Sequence, residues 1–148
     1  MTIERLAPHL IPGEFRNLAR AENRRRHLLI LADKHAPVTQ IVHSAFQNRG
    51  WIVDIFTPTA EALNSIQRWL YDLVIMQIVQ PGAESFKLCE VLRRHSRVPL
   101  LLIVSPVVGK EIAHAFYKGA DAYVIEPFDL RELLVRAEAL IRRAEGRL

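Results

Sequence analysis

Asp33, Lys34, Gln77, Ser105 and Glu126 each stand at or just past the end of an apolar run, and their side chains suggest different chemistries. The carboxylates of Asp33 and Glu126 could hold a cation with help from backbone carbonyls. Lys34 could pair with Glu126 or point to water, and Ser105 brings a hydroxyl. Gln77 offers only an amide, which hydrogen-bonds well but is a poor nucleophile. Mg²⁺ or Ca²⁺ wants about six or more oxygen ligands, which two carboxylates do not approach, so neither a metal nor another cofactor is expected. His114 and the other histidines lack ligand spacing. The turn after the first apolar run, LADKHAPV, contains no glycine to admit a phosphate to the backbone, which excludes dinucleotide and P-loop sites.

The elements that would position these residues alternate along the chain. HLLILA reads as a buried strand, and PVTQIVHSAFQNRG as an amphipathic helix with Ile41, Val42, Ala45 and Phe46 inward and Gly50 as its stop. WIVDIF is a second strand, followed by a helix through ALNSIQRWL with Thr57 or Thr59 available as its cap. DLVIMQ is the third strand and ESFKLCEVLRRH the third helix. PLLLIV, KEIAHAFYKG and DAYVIE follow as strand, helix and strand. DLRELLVRAEALIRRAE is a final helix opened by the capping pattern Asp129-x-x-Glu132. Continuous apolar strands alternating with helices describe a parallel sheet covered on both faces, hence a doubly wound α/β domain. Ligands of such sheets bind beyond the carboxyl ends of the strands, where Ala32-Asp33-Lys34, Gln77, Val104-Ser105 and Glu126-Pro127 fall.

At 148 residues, half of them apolar, the chain suits one domain with a real core. No apolar run approaches the ~20 residues that cross a bilayer, and MTIERLAPHL, with acidic Glu4 and no long apolar segment, is not expected to be a secretory signal. A single cysteine, Cys89, excludes an internal disulfide and fits a cytoplasmic location; in FKLCEVLRR it occupies a core position. Residues 1–26 form a basic N-terminal arm with six Arg against three Glu, ahead of a domain over 27–148. The run ENRRRH reads as a solvated boundary, since it lacks interleaved aromatics or a recognition motif. Direct nucleic-acid binding is therefore not expected.

The string GADAYVIEPFDLRELLVRAEALIRR resembles the end of a bacterial two-component response-regulator receiver domain, in the branch joined to winged-helix transcription factors. LLILADKHAP, DLVIMQIVQPG and VPLLLIVSP match the other receiver blocks in order, so the resemblance covers residues 27–143. It implies a flavodoxin-like five-stranded parallel sheet in the order 2-1-3-4-5. It also implies a pocket in which an Asp ending the third strand accepts a phosphoryl group. Two acids after the first strand hold Mg²⁺ there, and a Thr or Ser and a Lys bind phosphoryl oxygens.

Carried over position by position, the acceptor is Gln77, the acid pair is Ala32-Asp33 and the lysine is Glu126. The Asp-Gly of the following loop is Glu84-Ser85, and either Ser105 or Val104 stands for the hydroxyl residue. A carboxylate about 4 Å from a divalent ion contributes on the order of 8 kcal/mol of gross attraction at an effective dielectric near 20. Gln77 and Ala32 remove two of them, so no phosphotransfer and no enzymatic activity is expected. Lys34 facing Glu126 would be a charge-exchanged pocket. Tyr123 matches the aromatic that changes rotamer on activation. Glu132 and Arg136 match a dimer ion-pair network on the face made by the fourth helix, fifth strand and fifth helix, where Arg143 also lies, although Ala122 replaces an expected acid. The resemblance thus suggests a degenerate, phosphorylation-independent pseudo-receiver that acts by binding protein, with a homodimer through that face as one form. The alternative is the regulatory domain of a DNA-binding transcriptional regulator whose effector lies outside this chain.

Overall fold

A computed structural model describes residues 25–59, 62, 70–79, 83–109 and 119–146. The arm through residue 24, most of the expected second helix and the expected fourth helix lie outside them.

Five strands form the sheet: β1 (His27–Leu31), β2 (Ile52–Phe56), β3 (Leu73–Ile78), β4 (Leu100–Val104) and β5 (Ala122–Ile125). All pairings are parallel and the order is β2-β1-β3-β4-β5, as expected. The described helices are α1 (Pro37–Gln47), α2 (Ala83–His95), the single-turn α3 (Pro106–Gly109) and α4 (Leu130–Ala144). Parallel strands need crossovers that cover both faces, which is why the three central strands are so strongly apolar. Leu28, Leu29, Leu31, Leu73 and Leu100 are all fully shielded from solvent, whereas every residue of edge strand β2 is only half-buried.

Alternate residues of each strand feed two cores. Leu28, Ile30, Ile75, Leu101 and Val124 meet Val42 and Phe46 of α1 and Leu133, Ala137 and Ile141 of α4. On the opposite face Leu29, Leu31, Met76, Leu102 and Val104 meet Cys89 and Leu92 of α2 and Val108 of α3. Each such side chain contributes roughly 1.5–3 kcal/mol when fully buried.

Helix boundaries follow local chemistry. Pro37 opens α1, where its missing N–H would have had no partner. Gly50, at φ +87°, ends the segment, and Trp51 N–H bonds back to the Phe46 carbonyl. One expectation needs correction: Ile41 is 53% exposed, and Thr39 takes the inward place beside Val42, Ala45 and Phe46. At about 100° per residue, 39, 42, 45 and 46 share one face, whereas Ile41 is turned a full step from Val42. The capping pattern of α4 is half realised. Asp129 accepts from Arg131 N–H at 2.8 Å, while Glu132 pairs forward with Arg136.

Candidate functional site

Parallel strands place their carboxyl ends on one rim of the sheet. Backbone bonds continue past the strands there: Ala32 N–H to Phe56 O, Ser105 N–H to Ile78 O and Glu126 N–H to Val104 O, at 2.8–3.1 Å. These hold the loops that carry the candidate side chains.

Gln77 is the penultimate residue of β3, and Glu126 follows β5. Both are half-buried, and the Gln77 amide Nε2 donates to Glu126 Oε1 at 3.2 Å. β4 lies between their strands, so this bond passes over the end of that strand. A hydrogen bond to a charged group is worth roughly 1.5–3 kcal/mol when shielded, and less at a half-exposed rim.

The remaining candidates turn away from this pair. Asp33 is exposed, and its Oδ1 accepts from His35 N–H at 2.9 Å within its own turn. Ala32 is buried in the core shared with α1 and α4, and its side chain brings no polar atom to the rim. The charge-exchanged arrangement does not form. Lys34 is exposed, no ion pair among the described residues joins it to Glu126, and its carbonyl accepts from the Gln40 amide. Glu126 Oε1 accepts from Gln77 instead. Ser105 stands one residue beyond β4, donates its hydroxyl to Val79 O at 2.7 Å and receives Val108 N–H at 3.4 Å. Val104, fully buried, ends the strand itself. Among the described residues no three His, Cys, Asp or Glu side chains converge as a metal cluster would.

Tyr123 on β5 is half-buried against the α2-side core. Glu132 and Arg136 form an i,i+4 pair within α4 at 3.2 Å, and Arg143 is exposed near the end of that helix. Asp121, just before β5, accepts from Arg93 Nη2 and Leu100 N–H, both at 2.8 Å.

Sequence reasoning missed Arg93. Its guanidinium also donates to Gly119 O at 2.8 and 3.1 Å and to Val98 O at 2.9 Å, tying α2 to the entries of β4 and β5. Arg93 occupies one place in the run Arg93-Arg94-His95, so nothing local sets it apart, and the close approach to Gly119, at φ +117°, emerges only in the fold. Cys89 is buried, and desolvation pushes its thiol up from 9.0 to about 12, in keeping with a packing role.

This sheet order, with polar residues at the carboxyl rim, defines a doubly wound α/β domain. Residues 29–138 match the response regulator receiver domain family, and the chain belongs to it. The transcriptional activator protein PfeR of Pseudomonas aeruginosa is 31% identical over 115 residues, covering 78% of this chain and 38% of PfeR. The DNA-binding response regulator MtrA of Mycobacterium tuberculosis is 25% identical over 118 residues, covering 80% of this chain and 52% of MtrA. The chain thus spans about half the length, or less, of these curated relatives. The crystal structure of the receiver domain of the TMAO respiratory system response regulator TorR is similar at a TM-score of 0.68 and 32% identity, over 80% of this chain and 98% of that one. Receiver domains are signalling modules, and no helix among the described residues is long and apolar enough to cross a membrane.

Proposed function

We propose that this chain is a pseudo-receiver: a signalling module that works without phosphorylation, through contact with another protein. The observation that carries this reading is the Gln77–Glu126 bond. Where a working receiver places a nucleophilic carboxylate and a phosphate-binding lysine, an amide and a carboxylate satisfy each other. The donor set for Mg²⁺ does not fit either. Ala32 has no oxygen to give in its side chain, Asp33 is committed to its own turn, and Gln77 is neutral. A phosphoryl group entering here would meet Glu126 and be repelled. The pair Glu132–Arg136 and the strand residue Tyr123 belong to the surface that we assign to the partner, a second copy included.

The test is stepwise restoration. Gln77→Asp alone stays unphosphorylated by a small acyl-phosphate donor, because Glu126 and Asp33 raise the new carboxylate's pKa and repel the donor. Adding Glu126→Lys and Ala32→Asp yields a detectable phosphoryl adduct by mass spectrometry that depends on Mg²⁺. Equal labelling of the single and triple variants would remove the basis for this reading, as would saturable binding of beryllofluoride with Mg²⁺ by the unaltered protein.

A second reading is the regulatory domain of a DNA-binding transcriptional regulator. It is favoured by relatives such as PfeR and MtrA, of which this chain spans about half or less. Sequence-selective DNA retention by a longer chain that joins this domain to an effector would support it.

A further inference from the structure

The end of the sheet opposite the rim gathers a charge that the sequence scatters. Strand entries and helix C-termini meet there, because parallel strands and their returning helices run in opposite directions. Arg25 precedes β1, Arg49 follows α1, Arg97 follows α2, and Arg142 and Arg143 lie in the last turn of α4. All five are exposed, and none has an acidic partner among the described residues. The nearby acids are already engaged. Arg26 reaches Glu138 and Glu145 at 3.5 Å, Arg93 holds Asp121, and Arg94 holds Glu90.

Arg26 also fixes where these segments sit. Its guanidinium lies 5.8 Å from the centre of the Trp51 ring while reaching α4, so the ends of α1 and α4 flank the entry of β1. Glu138 and Glu145 share Arg26, and Asp72 lies buried at the entry of β3. The three longer helices end here with about half a negative charge each; the five remaining arginines together still outweigh these.

We propose that this basic end binds the phosphate backbone of nucleic acid, independently of sequence. Protein interfaces of ordinary strength have an apolar or aromatic centre, and membrane-surface binding needs apolar side chains to insert. Among the described residues the exposed large apolar side chains are Ile41, Val79, Val107, Ile125 and Val135, and none belongs to this end. Trp51 is buried beneath Arg26. Charge without an apolar centre suits a polyelectrolyte, and arginine's planar fork matches phosphate oxygens. No base-reading element accompanies it among the described residues, so the contact is with the backbone. This departs from the expectation drawn from ENRRRH alone, because the fold adds arginines from three further segments. It does not depend on the pseudo-receiver reading.

The experiment is fluorescence anisotropy of a short labelled DNA duplex with the full chain at low salt, repeated along a salt series and with a second, unrelated duplex. Binding is expected to be equal for both duplexes and to weaken steeply with salt. Arg142→Glu with Arg143→Glu should weaken it about tenfold or more and make the salt slope shallower by about two. Arg49→Glu with Arg97→Glu should act in the same direction, so a folding failure in one pair leaves the other. Lys34→Glu, at the opposite rim, should change nothing, with circular dichroism confirming that each variant is folded. The proposal is overturned by no binding at low salt, by reversals at this end without effect, or by an equal loss in the Lys34 variant. It is equally overturned by strong preference for one duplex, or by polyglutamate competing as well as DNA per charge.

Discussion

The two ends of one sheet are built differently. At the strand entries, charged side chains bind the backbone of distant segments: Asp72 accepts from His27 N–H, Asp121 from Leu100 N–H, and Arg93 donates to the carbonyls of Gly119 and Val98. At the carboxyl rim, Gln77 and Glu126 bind each other, Asp33 serves its own turn, and Ser105 joins one neighbouring loop. Backbone groups are obligatory partners that an unpaired burial would penalise, so the entry end is hard to alter without loss of fold. Side chains that satisfy each other can change together. The Gln77–Glu126 pair can therefore be exchanged while the architecture is kept.

If that contrast holds, Arg93→Ala should be the most damaging change, since it removes the donor from several carbonyls and the cation from Asp121, which keeps only Leu100 N–H. A loss of about 3 kcal/mol in urea unfolding is expected. A loss below about 1 kcal/mol would erase the distinction between the two ends. Gly119→Ala tests the same junction from the other side. Its φ is +117°, and a Cβ would stand 3.1 Å from Arg93 side-chain carbons, so a loss of about 1–2 kcal/mol is expected.

At the rim, Gln77→Leu should cost no more than about 1 kcal/mol in the same measurement, because Glu126 is only half-buried and water can replace the lost donor. A cost equal to that of Arg93→Ala would mean that the rim is as constrained as the entries.

The smallest effect concerns the core between them. Burial raises the Cys89 thiol to about 12, so the native state holds that proton more tightly than the unfolded chain does. The corresponding stabilisation is complete below the unfolded value of 9.0 and fades as pH rises toward about 12. Cys89→Ala should therefore show a shallower alkaline decline than the unaltered chain in unfolding series over that window. Native Cys89 should also resist thiol reagents that label it in urea.

How much was legible in advance depends on the range of the interactions involved. Apolar runs and their spacing determined five strands, the α/β alternation and the final helix, because burial of both sheet faces leaves a local imprint. The motifs DLVIMQIVQPG and GADAYVIEPFDLRELL placed Gln77 and Glu126 in one pocket by resemblance, and the structure brings them into contact. What each side chain does there was not legible. Ile41 could be judged only once the helix met the sheet and its angle to the core was set. Lys34 was a candidate partner for Glu126, and whether the two meet depended on geometry across the rim, where Gln77 makes the contact. Arg93 and the basic end join residues from segments far apart in the chain. Hydrogen bonds and charge fields depend on distance in space, so composition and spacing carried their parts while tertiary structure alone assembled them.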